Sequence, residues 1–414
     1  MTNNLPKNWC ECNLGSVCCL DNGVKQNNLH LPLLDAKYLR GKKEPEFRDT
    51  GVVLYENDYV ILVDGENSGE IFTVKSTGIM GSTFKKLNIS KLINVDYILC
   101  NIRCNQNLFR TNKKGAAIPH LDKQLFKNLI VNLPPIEEQG RIVEKIEELF
   151  SDIDNGIKDL KTAQAQIKQY RQSVLKSAFE GKLYKTSEWK EVKLEDVCSK
   201  ITDGSHFSPK SKIDGLYPYI TVKDVKNDII DFANSKRIDK DEYDLLVKSG
   251  CKPQLNDVLF SKDGTVGKVV LIKYNKEFVV LSSLAIIRPK QIIESKFLYY
   301  ILKSPQFLIE ATNKKVGVAI RRIILATLKK ISVPLPTILE QQQIVAEIEK
   351  RFVVADEMEK AVNDSLLQAE KLKQSILKQA FAGKLVPQNP NDEPAAVLLE
   401  RIKAAKENST KGKK

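Results

Sequence analysis

Val131 to Leu183 reads VNLPPIEEQGRIVEKIEELFSDIDNGIKDLKTAQAQIKQYRQSVLKSAFEGKL, and Val333 to Leu385 reads VPLPTILEQQQIVAEIEKRFVVADEMEKAVNDSLLQAEKLKQSILKQAFAGKL. The second stretch follows the first at an offset of 202 residues with no gap, and 23 of the 53 positions are identical. Identity at that level in a single register identifies an internal duplication. Apolar residues recur, mostly in steps of three and four, at Ile142, Ile146, Leu149, Ile153, Ile157, Leu160, Ile167, Tyr170, Val174 and Ala178. The second copy gives Ile344, Ile348, Phe352, Ala355, Val362, Leu366, Ala369, Leu372, Ile376 and Ala380. This spacing predicts a heptad-like stripe over about six heptads of a long helix. Pro134-Pro135 and Pro336 stand before the helices, and Gly181 and Gly383 stand where C-terminal caps belong. Forty-odd residues at a rise of ~1.5 Å make a rod of roughly 60–65 Å. One narrow apolar stripe needs a partner. The alternatives are helices of other chains or the second copy, whose matched length favours an antiparallel pair within one chain.

Each helix follows a larger and less similar segment. Trp9-Cys-Glu-Cys-Asn-Leu14 parallels Trp189-Lys-Glu-Val-Lys-Leu194. Asn57-Asp58 and Asp64-Gly65 match Asn256-Asp257 and Asp263-Gly264, and Thr111-Asn-Lys-Lys114 matches Thr312-Asn-Lys-Lys315. Short β-type runs lie between these landmarks, such as Val52 to Val63 and Val258 to Ile272, with Gly-rich turns. The expected fold class is α+β. Two mixed α/β modules, residues 1–135 and 187–336, are joined by helical regions at 136–186 and 337–388. A C-terminal amphipathic segment and basic tail occupy 389–414. The duplication predicts internal pseudo-two-fold symmetry, one fold carrying two different surfaces.

The 414 residues leave room for two to four domains, and the net charge is +13. A surplus of this size points to a polyanionic partner such as nucleic acid, or to a generally lysine-rich surface. MTNNLPKNWCEC has neither a basic nor an apolar signal region, and no apolar run approaches a membrane span. The expectation is a cytoplasmic protein with no membrane partner. The eight cysteines show no zinc spacing. Cys12 falls where the other copy has Val192, and Cys18 matches Cys198, so they read as small buried hydrophobes in a reducing compartment.

No catalytic constellation or metal site is legible. His30, His120 and His206 lie in no metal or nucleophile pattern, and no Gly-rich nucleotide loop is present. Asn132-Leu-Pro-Pro135 is similar to the Asn-Pro-Pro-aromatic motif of amino-methyltransferases, but the order is wrong. Its repeat counterpart Pro334-Leu-Pro-Thr337 marks it as a helix entry. Glu180-Gly-Lys182 loses its acid in the counterpart Ala382-Gly-Lys384 and reads as a helix exit. The candidates for DNA contact are cations near turns: Lys42, Lys43, Lys85, Lys86, Lys113 and Lys114 in the first module. In the second they are His206, Lys210, Lys212, Lys314, Lys315, Arg321 and Arg322. Paired cations beside a glycine bring backbone close to phosphates, and Arg is the usual reader of guanine. For any single residue here a solvated surface charge is the competing reading.

The helix starts LPPIEEQGRIVEKIEELF and LPTILEQQQIVAEIEKRF, the helix ends SVLKSAFEGKL and SILKQAFAGKL, and the tail LVPQNPNDEPAAVLLERI resemble the specificity subunits of type I restriction–modification systems. Trp189 to Val197 is similar to the opening of that family's recognition domains, and Trp9 to Val17 is a weaker copy. The resemblance covers essentially the whole chain. It implies two target recognition domains, each reading half of a split, asymmetric sequence in double-stranded DNA, with an antiparallel coiled coil setting the spacer. It also implies two modification (adenine methyltransferase) subunits and restriction/translocase subunits as partners. S-adenosylmethionine, ATP and Mg are then expected on those partners, and no cofactor or catalysis on this chain. The alternatives are a coiled-coil scaffold that binds only proteins, and a fused DNA-modifying enzyme.

Overall fold

The computed structural model describes residues 5–114, 119–312 and 322–411. The long helices run over Ile136–Phe179 and Ile338–Phe381, 44 residues each. The chain forms two compact units, Met1–Leu160 with Asp364–Lys414, and Lys161–Asn363. The boundaries fall inside the helices, so the units cut across the five sequence segments. Each unit holds one module, the start of one long helix and the end of the other.

The two modules share a framework. In the first, Cys10–Asn13 pairs antiparallel with Ile130–Leu133, closing the module's beginning onto its end. In the second, Lys190–Lys193 pairs with Ser332–Leu335 in the same way. The register places Cys12 opposite Val131 and Val192 opposite Val333. Each module then builds a four-stranded sheet. Its order is Cys18–Asp21, Phe84–Ile89, Tyr59–Leu62, Ile71–Thr73 in the first. In the second it is Cys198–Asp203, Leu284–Pro289, Val258–Ser261, Val269–Leu271. β-branched and aromatic residues carry these strands, and Val258–Ser261 is buried at every position. Cys12, Cys18 and Cys198 are buried within the cores, and burial pushes each thiol up to about 12. All eight cysteines are free.

The modules differ beyond that framework. The first adds a five-stranded sheet ordered Lys25–Gln26, Gly51–Leu54, Gly78–Met80, Leu31–Leu34, Phe47–Arg48. The second adds a three-stranded sheet of Lys236–Ile238, Tyr217–Ile220 and Val279–Val280, and a helix at Lys240–Lys248.

Within each unit the long helices run antiparallel and share a core with the module. In the first, Ile142, Val143 and Ile146 from one helix start join Ile376, Leu377 and Ala380 from the other helix end. In the second, Ile344, Val345 and Ile348 join Val174, Leu175 and Ala178. Leu149 and Ile153 pack at the edge of the first core and Phe352 at the edge of the second. Ile167 is buried, while Leu160, Val362 and Leu366 are half-buried. Leu372, expected on the inner stripe, is instead 52 % exposed. Lys373 takes the inward place, with its ammonium 5.1 Å from the Phe150 ring centroid and bonded to Asp154 at 2.5 Å. A lysine stem covers an aromatic ring while its head stays wet, so the stripe steps past the leucine.

The helix starts are clamped by buried polar side chains. Gln139 and Gln341 are fully buried. The Gln139 amide donates to the Pro134 carbonyl at 2.9 Å and accepts the Asn94 N–H at 2.9 Å. Gln341 donates to the Pro336 and Ile292 carbonyls and accepts the Glu294 N–H at 2.7 Å. Asn94 and Glu294 are the N-caps of helices Val95–Cys104 and Ser295–Lys303, so each glutamine ties the long helix to a module helix. The adjacent glutamates, one residue earlier, hold groups outside their own helix. Glu138 accepts the Trp9 indole N–H at 3.0 Å and the Gln388 amide at 3.1 Å. Glu340 accepts from Thr186 and Ser187, through both N–H groups and both hydroxyls. At the helix ends, Tyr97 meets Phe381 and Phe179 meets Phe297 edge to face, both at 5.5 Å. Gly181 and Gly383 carry positive φ, and Lys182 N–H and Lys384 N–H return to the Ser177 and Gln379 carbonyls.

The C-terminal segment is a helix, Ala395–Lys411, whose Leu398, Leu399 and Ile402 complete the first module's core. Arg141 anchors its approach through Asp392 at 2.6 Å.

Ile376→Ala should cost about 2–5 kcal/mol in denaturant unfolding, whereas Leu372→Lys should stay within about 0.5 kcal/mol. The Ser187 hydroxyl, with the Thr186 N–H, holds the Glu340 carboxyl well below the usual carboxylate range. A lowered folded value makes this stabilisation complete above the unfolded value, about 4.3, and progressively lost as pH falls below it. Glu340→Gln should therefore lower the thermal midpoint at about pH 7, with the gap to the natural protein narrowing toward about pH 3.

Candidate nucleic-acid interface

Most of the cations expected to face a polyanion are already engaged. Lys43 bridges Asp35 at 3.3 Å and Glu46 at 2.7 Å, and Lys86 pairs with Asp58 at 2.7 Å. Lys113 donates to the Glu66 carbonyl at 2.7 Å and pairs with its carboxylate at 3.2 Å, while Lys114 holds Asp122 at 2.8 Å. In the second module His206 meets Asp203 at 3.2 Å, Lys212 pairs with Asp239, and Arg322 meets Asp263 at 3.3 Å. Lys85 donates to the Asn22 amide oxygen. Lys42 and Lys210 are exposed and have no carboxylate partner among the described residues. Lys314, Lys315 and Arg321 lie outside the described residues. Exposed pairs are worth only about 0–1 kcal/mol, so they exchange readily for phosphate, but each pair lowers the local positive potential.

The first module has a trough of about 740 Å³ between its two sheets, rimmed by Lys25, Arg48 and Lys85. Its wall includes Gly23, Gly51, Gly81 and Ser82, small residues that let a sugar–phosphate chain approach the backbone. Near Arg48, the His30 ring stacks on the exposed Phe47 at a centroid distance of 4.9 Å, forming a flat open platform. Stacking surfaces of this kind accept bases. Lys25, Arg48 and Phe47 were not among the expected contacts. They are single residues with no doublet signal, and only the sheet gathers them.

In the second module the segment after Gly204 exposes Phe207, Ile213 and Leu216. Exposed apolar side chains beside cations suit contact with thymine methyls or insertion at a base step.

One position recurs in both modules. Asp64 forms an isolated antiparallel bridge with His120, and Asp263 forms the same bridge with Arg322. The side chains follow the backbone, with Asp64 Oδ1 2.6 Å from His120 Nδ1. Residues 120 and 322 differ by the repeat offset of 202, a signal in the sequence that singles out His120 as well as Arg322.

Among the described residues no cluster of three His, Cys, Asp or Glu side chains is placed to hold a metal ion. A cleft of about 920 Å³ in the second unit runs along the long helices. Within it Arg171 bonds Asp356 at 2.6 Å and Glu359 at 3.0 Å, and Lys303 bonds Asp228.

Comparison with known proteins places this framework. The family model described as "Type I restriction modification DNA specificity domain" matches residues 6–162 and again residues 186–368. The chain is 27% identical over 385 residues to the Type I restriction enzyme EcoBI specificity subunit of Escherichia coli, covering 86% of this chain and 81% of that protein. It is 28% identical over 387 residues to the MjaVIII specificity subunit of Methanocaldococcus jannaschii, covering 87% and 88%. A solved structure from a study of complex assembly and conformational transition of the type I R-M system shares the fold, with a TM-score of 0.65 at 20% identity, over 92% of this chain and 99% of that one. The paired matches, one on each module with its helix, show that the chain belongs to the type I restriction–modification DNA specificity family.

Proposed function

We propose that this chain is the DNA sequence-recognition subunit of a type I restriction–modification complex, with each module reading one half of a split, asymmetric target. The observation that carries this reading is the pairing of a shared framework with unlike faces. The four-stranded sheets, the helix clamps and the Asp64/Asp263 bridges recur, while the outer sheets and exposed loops do not. Unlike faces suit unlike half-sites. In this reading the helical regions set the spacer, so affinity depends on the number of base pairs between half-sites. Lysines supply affinity that is blind to sequence, and base-edge contacts from the divergent loops supply discrimination.

In this reading the chain positions chemistry done by others. Two modification subunits dock on the helical regions and methylate adenine with S-adenosylmethionine, and restriction subunits use ATP and Mg. Among the described residues no helix is long and apolar enough to cross a membrane. The reading places the complex in the cytoplasm with its DNA.

Binding of duplex DNA by the complex co-purified with its modification subunit tests this. Binding should require this chain and weaken linearly in logarithm as salt rises. Lys25→Ala, Lys42→Ala and Lys210→Ala should each reduce that slope by about one and weaken binding alike on all sequences. Unchanged sequence-selective binding when the chain is omitted would contradict the proposal.

A further inference from the structure

Five side chains of alternating charge type form one line of contacts in the second unit. His206 Nε2 lies 3.2 Å from Asp203 Oδ2, and Asp203 Oδ1 lies 3.3 Å from Lys262 Nζ. Lys262 Nζ donates to Asp263 Oδ2 at 3.1 Å, and Asp263 Oδ1 lies 3.3 Å from Arg322 Nε. The centre is buried and the ends are open: the Lys262 side chain is 2 % exposed, against 67 % for His206 and 65 % for Arg322.

The duplication supplies an internal control. Val63 N–H bonds the Thr83 carbonyl at 2.8 Å, and Lys262 N–H bonds the Ser283 carbonyl at 3.0 Å. Leu121 N–H bonds the Val63 carbonyl, and Ile323 N–H the Lys262 carbonyl, both at 2.7 Å. Residues 63 and 262 therefore occupy the same point of the framework, and the first module fills it with a buried valine. The fold does not need a cation there. A lysine at that point loses hydration, a cost that must be offset by what it holds. It holds two carboxylates, each of which restrains one exposed group. Arg322 meets Asp263 through Nε while its side chain stays 65 % exposed, so the guanidinium is both restrained and open to solvent.

We propose that Lys262 is a positioning residue for the second half-site: it draws Asp203 and Asp263 together so that His206 and Arg322 meet DNA in one fixed geometry. The inference rests on the DNA-recognition reading above. Without the ammonium, two carboxylates face each other with no cation between them. The loop carrying His206 and the segment carrying Arg322 then lose their common anchor. Contact with DNA remains possible, but the base-reading geometry is no longer fixed.

The test uses the complex with the modification subunit and Lys262→Val, the residue that the first module carries. Methylation is measured on duplexes that each change one base pair of the target. The natural complex should discriminate at positions in both halves. K262V should keep discrimination in one half and lose about ten-fold or more in the other. Arg322→Ala, a surface change, should show the same footprint, and combining the two should add little. Unchanged discrimination in either variant, equal loss in both halves, or a K262V protein that fails to fold would overturn the proposal, the last because the lysine would then serve the fold. A natural complex indifferent to every target position would instead remove the DNA-recognition reading, and this inference with it.

Discussion

The molecule depends on two buried carboxylate–amide pairs, Glu138-Gln139 and Glu340-Gln341. Each stands in the first turn of a long helix, where the backbone N–H groups have no helical partner and an acid is favoured. The glutamine faces the module and captures the N-cap of a second helix; the glutamate captures the segment just past the C-terminal end of the opposite long helix. Three pieces of chain, far apart in sequence, meet at one point. A buried polar group with every bond satisfied tolerates little displacement, since a lost partner leaves a costly orphan. Each module is thereby held on its helices in one orientation, as a reader of DNA requires.

Duplication explains how one chain builds this twice. The aromatic pairs Tyr97–Phe381 and Phe179–Phe297 join each module to the end of the helix that starts on the other module. A helix that began and ended on the same module could not do this. The copies have also drifted. The Trp9 indole bonds Glu138, but the Trp189 indole nitrogen has no hydrogen-bond partner among the described residues, and Glu340 bonds Thr186 and Ser187 instead. The clamp persists with different donors.

The helices and their caps were legible because they rest on local signals: period, proline, glycine and a repeat at constant offset. The Leu372 expectation failed because a heptad count weighs leucine above lysine, while the packing uses the Lys373 stem over Phe150. The candidate site was less legible. Lysine doublets are visible, but their neutralising partners are remote: Asp58 for Lys86 and Glu66 for Lys113. Such pairs are set by strand register. The trough residues Lys25 and Arg48, and the buried Lys262, carry no local pattern. Lys262 becomes visible only when the two modules are superposed strand by strand and a lysine is found where the other copy has valine.

If one duplicated framework presents two unlike readers, the pattern of methylation must show it. Mapping methylated adenines on DNA treated with the modification subunit, with and without this chain, tests it most directly. The account predicts a split motif with two unlike halves and a fixed run of unspecified base pairs, present only with the chain. A continuous or palindromic motif, or methylation that is the same without the chain, would contradict it.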